Sequence, residues 1–413
     1  MFLYNCGIRL YSGIIRLAAA FKPKARLWIN GRKNWEANLR QKTAALSSPI
    51  WIHCASLGEF EQGRPLIEEI KRRHPSRKIL LTFFSPSGYE IRKNYEFADV
   101  VIYMPVDTKA NARKFLEIVQ PAAAVFVKYE FWLNFLHELK KNQVPTFLIS
   151  AVFKKHQPFF KWYGGIFRKA LPCYHTIFTQ DEASLQLLKS LGVTQTRISG
   201  DTRFDRVLEI SRHPRRIDEL TPFITGYDVL IGGSTWPKDE EFLLEAYNSL
   251  RQKHNRLKLI IAPHEIDQAN IERLWNLIGS KGLSHCFITG DIQAGTDVVI
   301  VNTMGYLSSI YQYGKIAVIG GGFNDGIHNV VEPAVFGLPV LFGPNHAKFN
   351  EAEELLRLGG AFEFSDKAGL LQRLESLISK ESEHSQASVK AANYVASHAG
   401  ATAVIMQVLE PLL

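Results

Sequence analysis

Residues 50–73 read Ile50-Trp-Ile-His-Cys54-Ala-Ser56-Leu-Gly-Glu59-Phe-Glu-Gln62-Gly-Arg-Pro-Leu-Ile-Glu-Glu-Ile-Lys-Arg-Arg73. The run Ile50–Cys54 is short, apolar and bounded by small residues, which suits a strand buried on both faces. After the turn Ala55–Glu59, the segment Gln62–Arg73 spaces its apolar residues as one face of a helix. Working outward, the same alternation repeats. Candidate strands are Ile79–Phe84, Val100–Tyr103, Ala123–Val127, Thr146–Ile149 and Thr176–Thr179, with amphipathic stretches such as Asn111–Val119 between them. A polar stretch with Pro214 and Pro222 follows Asp205. The alternation then restarts with Val229–Gly232, Leu257–Ala262, Asp297–Val301, Ile316–Ile319 and Pro339–Phe342. Strands alternating with helices imply parallel sheets covered on both faces. Two such series predict an α/β protein of two facing Rossmann-like domains, with ligands beyond the carboxyl ends of the strands, in the cleft between the halves. The expected divisions are an N-terminal segment over 1–40, a first domain over 41–210 and a second over 211–413. The last helix is allowed to pack back on the first domain.

The hydrophobic share of 46% and charged share of 22% are those of a globular chain. The formal net charge is +9, but it is not spread evenly. Residues 1–40 carry Arg9, Arg16, Lys22, Lys24, Arg26, Arg32, Lys33 and Arg40 against Glu36 alone, which leaves the body near neutral. Nucleic acid, which calls for a basic stripe on a folded face, is therefore excluded as a partner. An anionic membrane surface fits a basic, partly apolar terminus better. The cysteines Cys6, Cys54, Cys173 and Cys286 lie far apart without a C-x-x-C pair, so neither a zinc site nor a disulfide framework is expected.

The opening apolar stretch is interrupted by Arg9 and Arg16, and a spanning helix needs about 20 mostly apolar residues. On a helix, Asn5, Arg9, Ser12 and Arg16 form one polar stripe, with Phe2, Leu3, Leu10, Ile14, Ile15 and Leu17 around the rest. The pattern predicts a helix lying in the membrane interface, backed by a basic collar. The alternative is a helix packed on the protein's own core. A cleaved signal peptide fits less well, because no uninterrupted apolar region precedes a small-residue cleavage site.

Several stretches carry candidate chemistry. Ser56 and Glu59 form an S-x-x-E capping box, so Glu59 either satisfies the helix start or, at the ligand edge of the sheet, takes a proton from an acceptor hydroxyl. Glu130 follows another buried strand; it is either a second carboxylate for the same cleft or a solvated loop charge. Arg203, in Gly200-Asp-Thr-Arg-Phe-Asp205, can pair with an anionic substrate group or with Asp201 or Asp205. In the second half, Gly232-Gly-Ser234-Thr235 precedes the acidic helix start Asp239-Glu240-Glu241. A glycine turn before a helix can cradle phosphate, though no Walker lysine is present. His264 ends another strand and reads as a phosphate or base contact, or as a structural histidine. The richest stretch is Ile319-Gly-Gly-Gly-Phe-Asn-Asp-Gly-Ile-His328-Asn329-Val-Val-Glu332-Pro-Ala334. Three glycines permit close backbone approach, the expected helix start favours a phosphate, and Glu332 can accept from ribose hydroxyls. No D-x-D run occurs, so no metal is expected; dipoles and cations would stabilise a leaving phosphate instead.

Taken together, these residues resemble the 3-deoxy-D-manno-octulosonic acid (Kdo) transferases, a family of GT-B glycosyltransferases acting on the lipid A precursor. Trp51-Ile-His-Cys-Ala-Ser-Leu-Gly-Glu59 is similar to the family's W-x-H-x-A-S-x-G-E, and Tyr103-Met-Pro-Val-Asp107 to its Y-x-P-x-D. Glu130-Phe-Trp-Leu-Asn134 resembles E-L-W-P-N, and Gly200–Asp205 resembles G-N-L-K-F-D. Gly326-Ile-His-Asn-Val-Val-Glu-Pro-Ala334 resembles G-G-H-N-x-L-E-P-A. Gly233-Ser-Thr and Met304-Gly305 match as well. Departures are Lys128 where many members have Glu, Asp201-Thr202-Arg203 for N-L-K, Tyr306 for the Glu of M-G-E-L, and Pro263-His264-Glu265 in place of the longer P-R-H-P-E.

The resemblance implies Glu59 as catalytic base, with Glu130 and Arg203 acting as the bond breaks. It implies that Ser234, Pro263, His264, Met304, Gly305, Tyr306, Gly321, His328, Asn329, Val330, Val331 and Glu332 hold the cytidine nucleotide. The implied donor is CMP-Kdo and the implied acceptor a tetraacyl lipid A precursor, lipid IVA, with inversion and without a cofactor or metal. The implied location is the cytoplasmic face of the bacterial inner membrane, monotopic or peripheral. The rivals are a GT-B enzyme using a UDP-sugar, either a hexosaminyl transferase or a nucleotide-sugar epimerase, and a non-catalytic glycolipid-binding membrane protein.

Overall fold

The computed structural model describes residues 1–413. Contacts divide the chain into two units: residues 1–206 with 399–413, and residues 207–398. Residues 1–40 are therefore counted within the first unit, and the terminal segment leaves the second half to join it.

The first unit is built on β1 (Ile50–Cys54), β2 (Ile79–Phe83), β3 (Val100–Tyr103), β4 (Ala123–Val127), β5 (Thr146–Ala151), β6 (Thr176–Thr179) and β7 (Thr196–Ile198). They form one sheet in the order β3-β2-β1-β4-β5-β6-β7, with every pair parallel. β1 to β5 are buried along their whole length, which explains why they read as apolar runs rather than as alternation. Trp51 packs against Phe115, Phe126 and Phe135 on one face, at centroid distances of 4.6, 5.2 and 5.6 Å. On the other face the returning helix Ala401–Leu409 buries Ile405, Met406 and Leu409 among the residues of β1 and the helix Leu57–Arg73. Asp205 fixes the start of that returning helix, accepting from the Gly400 amide at 2.5 Å, the Thr402 amide at 2.6 Å and the Thr402 hydroxyl at 2.7 Å.

The second unit holds β8 (Asp228–Thr235), β9 (Leu257–Pro263), β10 (His285–Phe287), β11 (Val298–Ile300), β12 (Ile316–Ile319), β13 (Val340–Phe342) and β14 (Ala361–Glu363). Their order is β10-β11-β9-β8-β12-β13-β14, again all parallel. Both sheets reverse their winding once, at β1/β4 and at β8/β12. In open α/β sheets such reversals create the crevice where ligands bind.

The first forty residues form helices Phe2–Ala18, Pro23–Asn30 and, running slightly beyond them, Trp35–Thr43. The first buries no residue fully, yet it is tied down: the Tyr4 hydroxyl donates to Asp107 at 2.5 Å, and Asn134 donates to the Asn5 side chain at 2.9 Å. Its polar stripe faces the protein, while Phe2, Leu3, Leu10, Ile14 and Leu17 face outward. No helix of the chain is long and apolar enough to cross a membrane.

Candidate active site

At the carboxyl end of β1 the chain turns through Ala55 and Ser56 into the helix Leu57–Arg73. Ser56 is the N-cap residue but makes no hydrogen bond to the helix backbone; its hydroxyl donates to the Glu59 carboxylate instead. The capping box is thus not formed, and Glu59 is half-buried at the sheet edge. Burial first, and then the charges of Glu130 and Glu59, push the Cys54 thiol pKa well up. Burial and then Glu59 likewise raise the Tyr129 hydroxyl, with Arg203 opposing. Glu59, Glu130, Tyr129 and Arg203 therefore share one electrostatic neighbourhood at the β1/β4 reversal.

Glu130 is only 4% exposed, and a buried carboxylate must be met by donors. Trp132 donates its indole N–H to Oε2, and the Tyr174 hydroxyl donates to the Glu130 main-chain oxygen. His53 Nε2 lies 3.2 Å from the same Oε2, though off the line of a hydrogen bond. Behind His53, Trp51 Nε1 donates to Thr82 Oγ1 at 2.8 Å, and Thr82 Oγ1 is 2.8 Å from His53 Nδ1. Thr82 Oγ1 also donates to the Ile52 main-chain oxygen at 3.5 Å, so one hydroxyl ties Trp51, His53 and the β1 backbone together. At the end of β4, Lys128 takes a positive φ of 72°, an unfavourable conformation for a side-chain-bearing residue that recurs at functional sites.

Arg203 is bound by Asp201, which accepts from its Nε at 2.8 Å, its Nη2 at 2.7 Å and its main-chain N–H. Asp201 is buried and also accepts from Gln62 at 3.3 Å. The intramolecular pairing allowed by the sequence is thus present, and it orients a guanidinium that remains one-third exposed.

In the second unit, Ser234 has φ +50° and shifts the β8–β9 register beside it. Beyond β8, Trp236 stacks on His264, and His264 on His328, at 5.0 and 4.1 Å between centroids. Trp236 Nε1 donates to His328 Nε2 at 3.0 Å, which leaves the His328 proton on Nδ1. Burial, and then His264, lower the His328 pKa to about 4, so this imidazole is neutral near pH 7 and offers a donor rather than a charge. The glycine turn after β12 packs tightly: a Cβ on Gly320 would lie 2.3 Å from the Ser234 carbonyl oxygen. Asp239 pins that turn, its Oδ2 accepting from Gly321 and Trp236 amides at 3.0 Å each.

A family profile described as 3-Deoxy-D-manno-octulosonic-acid transferase (kdotransferase) matches residues 29–206. The 3-deoxy-D-manno-octulosonic acid transferase of Aquifex aeolicus (strain VF5) is 31% identical over 339 residues, 81% of this chain and 87% of that protein. The chain belongs to the Kdo transferase family. The enzyme of that name from Haemophilus influenzae (strain ATCC 51907 / DSM 11121 / KW20 / Rd) is 26% identical over 88% of this chain and 87% of its own. Among solved structures, a UDP-GlcNAc 2-epimerase from Neisseria meningitidis has a TM-score of 0.63 at 15% identity, covering 88% of this chain and all of that one. A putative UDP-N-acetylglucosamine 2-epimerase from Listeria monocytogenes gives 0.63 at 10%, over 88% of this chain and 96% of its own. These likenesses carry the GT-B fold and nothing of substrate. The chain is accordingly a glycosyltransferase of the Kdo transferase family.

Within this transferase the motif residues gather at two sheet edges. Glu59, Glu130 and Arg203 share the first. Ser234, Pro263, His264, Gly321 and His328 border the second, where Pro263 is the last residue of β9. Asn329 donates to Glu332 at 2.9 Å and accepts from the Val331 amide at 3.0 Å. Val330 and Val331 are each 1% exposed, so only their main chain is available to a ligand. The helix beyond them, Val331–Val335, has five residues, too short for the macrodipole expected from the sequence. Met304 is 77% exposed, Gly305 has φ +89°, and Tyr306 lies under the Arg215 guanidinium at 4.8 Å. Sequence reasoning assigned no role to His53, Thr82, Trp132, Trp236 or the Asp239 clamp. Only the position of Asp239 in an acidic helix start gave a signal.

Proposed function

We propose that this chain transfers Kdo from CMP-Kdo to a tetraacyl lipid A precursor, lipid IVA, with inversion at the anomeric carbon. The observation that carries the proposal is the pair of carboxylates, Glu59 and Glu130, at the ends of the adjacent strands β1 and β4. Glu59, unoccupied by capping, takes the proton of the acceptor hydroxyl as that oxygen attacks. A base so placed is worth about 10²–10⁴-fold. Glu130, held by Trp132 and faced by His53, and Arg203, held by Asp201, steady charge as the bond to phosphate breaks. The glycine turn beyond β12, with Ser234, His264, Asn329 and Glu332, receives the nucleotide. Main-chain N–H groups and cations, rather than a metal, meet the departing phosphate, and turnover is expected to persist when divalent metals are chelated.

A lipid acceptor is supported by an apolar cavity of about 380 Å³ lined by Tyr4, Ile8, Tyr129, Phe131, Trp132 and Phe159, among others. It joins the residues flanking Glu130 to the N-terminal helix. The outward apolar face of that helix supports residence at a membrane surface, monotopic or peripheral, on the cytoplasmic side of the bacterial inner membrane. The test is transfer from CMP-Kdo by Glu59→Ala, with products read by mass spectrometry. A loss of about 10²-fold or more in a folded variant is expected, and near-normal turnover would remove Glu59 from the role of base. Competition by CMP rather than UDP separates this reading from a UDP-sugar enzyme.

A further inference from the structure

The helix Phe2–Ala18 turns Arg9, Ser12 and Arg16 into a cavity of about 500 Å³ whose other walls include Trp28, Trp35 and Lys33. No acidic side chain lines it, and Arg9, Arg16 and Lys33 form no ion pair within the chain. Arg32 also borders the cavity. Its guanidinium donates to the main-chain oxygens of Met104, Trp28 and Phe84 at 2.9, 3.1 and 2.7 Å and sits 4.0 Å over the Trp28 ring. Burial lowers its pKa to about 9, so it stays charged near neutrality. Four cations around one space without a counter-ion repel one another, and the arrangement asks for an anion.

The other side of the same helix states where that anion comes from. Leu3, Leu10 and Leu17 are 79%, 67% and 76% exposed and share one outward row of the helix. An interfacial helix places such a row among acyl chains, with its polar side at headgroup level. The cavity is also far larger than a phosphate ion, leaving room for the glycerol that links phosphate to acyl chains. We propose that this cavity seats the phosphate headgroup of an anionic phospholipid taken from the bilayer on which the helix lies. The proposal rests on the membrane-surface part of the proposed function and adds a defined site to it: a bilayer lipid, distinct from the acceptor, locks the N-terminal helix in place.

The experiment is sedimentation of the full chain with vesicles of neutral phosphatidylcholine alone and of phosphatidylcholine mixed with anionic phosphatidylglycerol. Two double variants remove the same charge: Arg9→Gln with Arg16→Gln inside the cavity, and Lys22→Gln with Lys24→Gln on the exposed collar. All four residues are exposed, and circular dichroism checks the fold. General surface attraction predicts a loss of about fivefold per charge for either pair. A seated headgroup predicts that the cavity pair loses roughly tenfold more than the collar pair, because close hydrogen-bonded contacts are lost as well. Equal losses would overturn the site while leaving membrane attachment intact. Failure of the unmodified chain to bind anionic vesicles would overturn the membrane reading itself. Inorganic phosphate, titrated calorimetrically, is expected to give no saturable heat; tight binding of the free ion would overturn the lipid as the source.

Discussion

The Ser56 hydroxyl donates to the Glu59 carboxylate, and neither side chain caps the helix that begins between them. This separates two readings of S-x-x-E that the sequence left open. If Glu59 were a cap, its removal would cost about 0.5–2 kcal/mol of stability. With no cap to lose, Glu59→Gln is expected to unfold at the wild-type denaturant midpoint while turnover falls by about 10²–10⁴-fold. Ser56→Ala is the companion variant, with a smaller loss of turnover expected, since it removes only a donor to the proposed base. A Glu59→Gln protein destabilised in step with its loss of activity would return the residue to scaffolding.

His53 is fully buried, between Thr82 on one side and Glu130 on the other. His53→Phe keeps a ring of similar shape but removes the hydrogen-bond partner of the Thr82 hydroxyl and leaves one face of Glu130 without its neighbour. The expected cost is about 1–3 kcal/mol of stability. Misplacement of Glu130 adds a fall in kcat of about 10²-fold with little change in KM for the donor. Equal changes in kcat and KM would make His53 a packing residue only.

Much of the fold was legible because β1, β2, β4, β5, β8, β9 and β12 are interior strands, and burial on both faces imposes apolar runs. The three strands absent from the sequence reading, β7, β10 and β14, are three-residue edges with partly exposed side chains. There a polar residue such as Arg197 is tolerated and the pattern vanishes. Residues at strand ends were legible for the same reason: a carboxylate or glycine turn directly after an apolar run falls at the ligand edge of a parallel sheet. The supports were not. The Trp51–Thr82–His53 chain joins β1 to β2 across some thirty residues, and the Asp239 bond to Gly321 crosses from one strand-to-helix turn to another. Such pairings depend on register, which a single sequence does not state. The N-terminal stripe was read correctly as polar, but whether it met water or protein depended on where Asn5 and Tyr4 find Asn134 and Asp107.

Asp239 is 1% exposed and serves two amides, so its loss leaves the Gly321 and Trp236 N–H groups unpaired. Asp239→Ala is expected to destabilise the second unit by about 1–3 kcal/mol and to raise the donor KM, because the turn loses its clamp. Burial raises the Asp239 pKa, so the charge itself is poorly accommodated. Asp239→Asn keeps an acceptor oxygen and should recover most of both properties. Steady-state kinetics and urea unfolding of the two variants check this; a normal donor KM in Asp239→Ala would detach the clamp from nucleotide binding.

Two histidines of the second unit give its stability opposite pH limbs. His328 has its pKa lowered from 6.5 to about 4, by burial and then by His264. The unfolded chain therefore binds the proton first, and stability falls as pH drops from about 6.5 towards 4. Burial alone would lower His346 too, but hydrogen bonds with Glu363 and Glu353, at 2.8 and 2.7 Å, outweigh it and raise its pKa. Its contribution is whole below 6.5 and is lost as pH rises through the raised value. Unfolding midpoints measured across this range should peak between the two limbs. His346→Gln is expected to flatten the alkaline side and leave the acid side, and His328→Gln to do the reverse. A variant that shifts the whole curve without changing either slope would show that its histidine does not titrate on unfolding.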